Sequence, residues 1–346
     1  MTTGDSPRHD GLRTPEGSVI EALESPRRRS RGRLIVQAIG VAIGLSLLGW
    51  AISIAFSEKN RAGIDAIRHA SPSDLALLIA LTAGAIVLNG TTFWFSQPWP
   101  PRKVPVTDAI AGNAIATFLG LIPFKISVVV RGMIHHRRNG VRFVDLAAWF
   151  AAITAMALAT LIPVGIATFW RRSLDPMWWV TSIGGVALAG AAGVMLGRLA
   201  GRHRILHRLS LGADRIVRDP VIMGANLAMR FADVMLFSLR FQIAGRIAGV
   251  DLPFEQAAML GAGYFLIVVL GPFGPLGFAE MGVAGLAALV GHDAPAITLV
   301  ALTITAAAAA TSAGLTVPAA IYLRLDRVFG PGRITPPPAD ISRPSA

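Results

Sequence analysis

Apolar and polar stretches alternate along this chain at the spacing that a lipid bilayer sets. Apolar blocks of about 20 residues, the length a helix needs to cross the hydrocarbon core, occupy Leu34–Phe56, Leu75–Phe95, Val144–Phe169, Met177–Leu196, Val221–Ile243 and Ala296–Leu323. Each predicts a full transmembrane helix. Two further blocks are broken. Asp108–Val130 is interrupted by Pro123 and Lys125. Ala257–Val290 is too long for one span and is broken by GPFGPLG, where Gly271, Pro272, Gly274, Pro275 and Gly277 punctuate the helix. Such breaks are tolerated at membrane depth only where protein or a lined cavity surrounds the exposed backbone. The simplest form is a re-entrant helical hairpin that enters and leaves on one side. The pattern therefore predicts an all-α polytopic membrane protein with about eight apolar segments: about six full transmembrane helices plus two re-entrant hairpins. A transmembrane β-barrel would show short alternating segments instead.

Composition agrees: 53% of residues are hydrophobic and 15% charged, against about a quarter charged in soluble domains. Residues 1–33, polar and ending in RRRSRGR, read as a disordered cytoplasmic tail, as does 326–346 after a transmembrane domain at 34–325. The block Leu34–Phe56 is too long for a signal-peptide core and reads as an uncleaved anchor. The net charge of +12 would suggest nucleic acid in a soluble protein, but here the arginines cluster at the ends of apolar blocks, the positive-inside pattern. With no folded basic domain expected outside the membrane, the natural partner is anionic lipid headgroups and not nucleic acid. With the N-terminal tail inside, Arg102 and Lys103 are inside two spans later. Only a re-entrant Asp108–Val130 then keeps the basic loop Arg131–Arg142 inside. The next two spans put Gly197–Asp219 inside, and a second re-entrant region leaves Arg324 and Arg327 there. The exceptions are Lys59, Arg61, Arg68, Arg171, Arg172 and Arg246. The expected location is a bacterial inner membrane, both termini cytoplasmic. The absence of cysteine excludes disulfides and thiolate chemistry.

The two broken regions resemble one another. KVPVTDAIAGNAIATFLGLIPFKISVVVRG and GVDLPFEQAAMLGAGYFLIVVLGPFGPLGFAEMG each have a proline-containing entry with an acidic residue, Asp108 or Glu255. Each continues through a small-residue helix and a proline-containing break to a charged residue with a glycine one or two positions on, Arg131 or Glu280. Three full spans separate them, and an odd number inverts the second copy. The expected plan is an inverted repeat, half one about 75–170 and half two about 221–323, as in secondary transporters whose discontinuous helices build the binding site.

No enzyme constellation is present: no HExxH, GxSxG, P-loop or dinucleotide fingerprint. No metal site is expected, because adjacent His135 and His136 do not share a helix face, and no cofactor is implied. Ionisable groups at membrane depth are costly and usually functional or paired. Arg131 is either a positive-inside anchor or a phosphate clamp, since guanidinium binds phosphate bidentately. Lys125, His135, Arg137 and Arg138 join it as candidate lipid-headgroup contacts. Glu280 either caps the helix restarting after the break or couples charge to transport. Arg230 and Asp233, at i and i+3, suit a structural pair, and Arg240 is expected to snorkel to the outer interface. Asn89, Asn113 and Asn226 are polar glue or cavity lining. Trp94, Trp99, Trp170, Trp178 and Trp179 form an expected aromatic belt.

The segment IPFKISVVVRGMIHHRRNGVRFVDLAAW resembles the first motif of the lysylphosphatidylglycerol synthase transmembrane region, or flippase-like domain, through Pro123, Arg131, the HHRRNG loop and Val141–Phe143. GPFGPLGFAEMG resembles its second motif through Gly274, Gly277, Glu280 and Gly282, the last displaced by one residue. The likeness covers about residues 35–325. Where the family shows Gly-Glu before the arginine, this chain has Ser127 and Val128. The resemblance implies movement of an anionic phospholipid or polyprenyl-phosphate lipid, such as a lipid-linked sugar, between leaflets, often beside an envelope-lipid enzyme. The alternative is a non-transporting membrane scaffold for a glycosyltransferase or lipid-modifying enzyme. A lipid-dependent transferase is the least favoured, because only isolated carboxylates are present.

Overall fold

The structure is a computed structural model that describes residues 42, 45–54, 56–97, 103–121, 126–171, 173–203, 205, 207, 210–270, 277–289 and 291–329. Lys125, Pro123, Gly271, Pro272, Gly274 and Pro275 lie outside the described residues, as do the N-terminal tail, most of the C-terminal tail and much of the first predicted span. The described residues are helical and contain no strand. In chain order the helices are α1 (Leu45–Ile54), α2 (Arg61–Arg68), α3 (Pro72–Phe95), α4 (Val106–Gly120), α5 (Ile126–Asn139), α6 (Phe143–Arg171) and α7 (Pro176–Arg202). There follow α8 (Asp214–Val217), α9 (Pro220–Ile247), α10 (Phe254–Leu270), α11 (Phe278–Leu289), α12 (Ala294–Leu323) and α13 (Leu325–Phe329).

Five of these, α3, α6, α7, α9 and α12, are long and apolar enough to cross a membrane. They coincide with five of the blocks read from the sequence, and the architecture is that of a multi-pass membrane protein. Their starts lie one to three residues before the apolar blocks begin, because local chemistry sets them. Ser71, Asp175, Asp219 and Asp293 each cap a helix by accepting a first-turn amide, and a proline stands at the first or second position. The cap satisfies an orphan N–H, and proline loses nothing where no helical partner exists.

Both broken blocks fold as antiparallel hairpins. Gly112 faces His135 and Gly120 faces Ser127, so α4 and α5 run back along each other. Gly263 faces Leu286 and Gly282 faces Ile267, which sets the same arrangement for α10 and α11. The arms have 15, 14, 17 and 12 residues. At about 1.5 Å per residue they span roughly 18–26 Å, short of the ~30 Å hydrocarbon thickness.

Helix α9 is central, packing on α3, α6, α7, α10 and α12. The first hairpin sits against α3 and α12, and the second against α9, α6 and α12. One apolar core joins Phe241, Leu260, Val283, Val300 and Ile304 across α9–α12. A second joins Trp149, Met156, Leu161, Trp178 and Leu227 across α6, α7 and α9. Two expectations change here. Trp178 is fully buried, its indole N–H donating to Thr168 Oγ1 at 3.0 Å. It is a packing residue, while Trp170 and Trp179 remain exposed as a belt requires. Asp326–Phe329, placed in a disordered tail, are helical, because Val328 is buried and its carbonyl accepts from Arg137 Nη1 at 2.7 Å.

Candidate functional site

Five helices, α3, α4, α9, α10 and α12, surround a cavity of about 150 Å³ in the apolar interior. Its polar lining includes Asn89 of α3, Asn113 of α4, Asp233 and Arg240 of α9, and Tyr264 of α10. Asp233 and Arg240 are seven residues apart, so one stripe of α9 presents both. Arg240 is 6% exposed and makes no hydrogen bond or ion pair among the described residues. Its guanidinium lies 4.9 Å from the centre of the Phe237 ring. It therefore does not snorkel outward: its position near the end of α9 is covered by protein, so the side chain turns inward. The carbonyl oxygen of the Asn89 side chain is also buried without a partner among the described residues.

Arg131 reaches the same wall from α5. Its Nη2 donates to Asn113 Oδ1, and Asn113 Nδ2 donates onward to the Ile86 carbonyl at 2.7 Å. The Arg131 guanidinium lies 4.0 Å from the Phe93 ring centre, and its Nε is buried and unpartnered among the described residues. Arg230, one turn before Asp233 on α9, donates to that carboxylate at 3.4 Å. Arg230 lies close enough for its charge to act on Arg131, and Asp233 feels both Arg230 and Arg240. Among the described residues, Asp233 is the carboxylate that acts on Arg230 and Arg240, and none acts on Arg131. Arg230 and Arg240 thus share one anion and Arg131 has none, which leaves two positive charges uncompensated in an apolar interior.

Glu280 stands apart from this group. It is fully buried in the first turn of α11, accepting from the Gly277 amide at 2.8 Å and from Thr305 Oγ1 of α12 at 2.6 Å. Tyr264 Oη lies 3.1 Å from the same Thr305 oxygen. Arg131 and Glu280 share no hydrogen bond or ion pair.

The remaining predicted headgroup contacts are elsewhere. Arg138 binds both oxygens of Asp108, at 2.8 and 3.2 Å, and the Leu323 carbonyl at 3.1 Å. With Arg137 on Val328 it ties the first hairpin to the end of α12 and to α13. His135 is buried beside Trp149, its ring centre 5.6 Å away and its Nδ1 3.1 Å from Asn139 Oδ1. It is thus packed inside and does not face a membrane surface. Asn226 bonds Ser96 and serves as glue, whereas Asn89 and Asn113 line the cavity. Sequence reasoning missed Tyr264 and Thr305, whose types are common in any membrane helix. Arg240 carried a usable signal, its seven-residue spacing from Asp233. The chain matches no protein-family model, no curated protein and no solved structure.

Proposed function

We propose that this membrane protein binds the anionic headgroup of a lipid between Arg131 and Arg240 and carries it from one leaflet to the other. The observation that carries this reading is a cavity lined by the uncompensated Arg240, with a second uncompensated arginine, Arg131, bonded to its wall residue Asn113. Taking an ion out of water costs several kcal/mol even after relaxation, so a site with two surplus cations is built for an anion. Guanidinium favours phosphate, which it binds through paired N–H groups. The helix-lined, membrane-depth setting favours a phosphate carried on a lipid, either an anionic phospholipid or a polyprenyl phosphate.

Carriage between leaflets follows from a two-fold plan. Exchanging α3–α6 with α9–α12 matches part of the packing: α3 on α4 becomes α9 on α10, α4 on α12 becomes α10 on α6, and α5 on α6 becomes α11 on α12, whereas α9 on α12 has no comparable counterpart in α3 on α6. The intervening span α7 makes the crossings between the halves odd, which inverts the second copy if the short hairpins re-enter. Rocking of inverted halves about a central site is the alternating-access geometry.

Reconstitution into vesicles carrying a fluorescent phosphatidylglycerol tests the proposal. Faster exchange between leaflets is expected, with loss in Arg131→Ala. No acceleration with any anionic phospholipid or polyprenyl phosphate would refute it. Re-entry is tested separately in this cysteine-free chain. Single cysteines at Arg102 and within 131–142 should label from the same side, and labelling from opposite sides rejects re-entrant hairpins.

A further inference from the structure

We propose that Glu280 binds a proton that travels with the anion, and that Thr305 and Tyr264 convey its protonation to the cavity. This rests on the anion-site reading above and adds a second ligand to it.

A chain of contacts links the carboxylate to the cavity wall. Thr305 Oγ1 donates to Glu280 Oε1 at 2.6 Å, and Tyr264 Oη sits 3.1 Å from Thr305 Oγ1 with either oxygen able to donate. Tyr264 is also part of the cavity wall. Each hydroxyl has a single proton to give, so the direction of one bond fixes the next. When Glu280 is ionised, Thr305 must donate to it, and Tyr264 must donate to Thr305. The phenol then turns only lone pairs toward the cavity, which repels an anion. When a proton from water binds Glu280 Oε1, the carboxyl group can donate to Thr305, and Thr305 to Tyr264. The phenol O–H is then free to donate into the cavity. Only one O–H bond is gained, at Glu280, and every other proton stays on its own oxygen.

Electrostatics act in the same sense. The charge of Glu280 reaches Tyr264, as does that of Arg240. Removing the carboxylate charge therefore strengthens the field that Arg240 presents to an anion. Among the described residues, no other ionisable group competes for this role. Of the helices packed on α11, α10 brings Tyr264, with Glu255 at its distant start. Helix α12 brings only Tyr322, at its far end beside Arg138. Beyond Tyr264, the charges across the cavity are Arg240 and Asp233 of α9. A carboxylate held by one amide and one hydroxyl, with no ion pair among the described residues, can change charge without breaking one.

The test is binding of dioctanoyl phosphatidylglycerol to the purified full chain in detergent, whose phosphodiester keeps one charge over the range used. Between about pH 6 and about pH 9 the wild-type affinity should fall as pH rises, by up to about tenfold per unit for one linked proton. Glu280→Gln should bind tightly with little pH dependence. Tyr264→Phe and Thr305→Val should bind weakly and flatten the slope, which a purely structural role would not do. Normal binding with a flat wild-type profile, or a wild-type slope retained by Glu280→Gln, overturns the proton site and leaves the anion site standing. Should Glu280→Gln not fold, an unchanged slope in both hydroxyl variants overturns it equally. No saturable binding at any pH removes the anion site, and the proton reading with it.

Discussion

Replacing Arg240 by methionine should make the ligand-free protein more stable and its anion binding worse. Methionine keeps much of the length and removes the charge. The cation it removes is 6% exposed, has no hydrogen bond among the described residues, and shares Asp233 with Arg230. Asp233 retains its bond from Arg230, so no carboxylate is orphaned. Two terms oppose each other. Relief of an unpaired buried charge is worth several kcal/mol, and loss of the contact with Phe237 costs up to about 2 kcal/mol where desolvated. The net expectation is a gain of about 1–3 kcal/mol. At about 2–4 °C per kcal/mol for a larger domain, thermal unfolding in detergent should rise by several degrees. The same variant should bind short-chain phosphatidylglycerol at least about tenfold more weakly, the loss of one charge-assisted hydrogen bond. A clear fall in melting temperature would show that Arg240 is a structural counter-ion of Asp233, and the surplus-charge argument would fail.

Three further expectations follow from packing and charge. A methyl group on Gly90 would stand 2.6 Å from the Ile110 backbone, so Gly90→Ala should cost about 1–3 kcal/mol by overpacking; Gly84→Ala, with open space around it, should be neutral in the same melt. Arg138→Ala leaves the buried Asp108 carboxylate with Asn139 Nδ2 at 2.9 Å and without its cation. It should destabilise by about 1–3 kcal/mol and raise hydrogen exchange first in α13, and unchanged exchange there would reject the anchor. Burial pushes the Asp214 carboxyl up, but hydrogen bonds from Ser210 and His207 outweigh it and hold the group below its usual range. Its stabilisation of residues 210–218 is therefore full above about pH 4 and lost as pH falls through the lowered value. Hydrogen exchange in that segment should accelerate only on acidification, and already at neutral pH in Asp214→Asn.

The sequence by itself determined the class and most of the spans. A twenty-residue apolar run has one low-energy form in a bilayer, because every backbone polar group must be satisfied within the segment. That is why five blocks returned as α3, α6, α7, α9 and α12. The two interruptions were legible because proline lacks the helical N–H and clustered glycine lowers helix propensity, whereas the single Pro163 and Pro318 stand inside α6 and α12. The i, i+3 spacing of Arg230 and Asp233 allowed their pair before any tertiary contact was known, since a helix fixes that neighbourhood. What one helix cannot specify is which neighbour covers a given face. Arg240 could snorkel or turn inward, and only the packing of α9 among five helices decided it. Arg131 and Arg138 look alike along α5, seven residues apart. Tertiary structure gave one an aspartate and left the other among aromatic and amide groups, because Asp108 lies at the hairpin's open end and, among the described residues, no carboxylate reaches its middle. The link from Glu280 through Thr305 to Tyr264 spans three helices and has no spacing signature at all. Such contacts depend on how separate helices meet, which local periodicity does not encode.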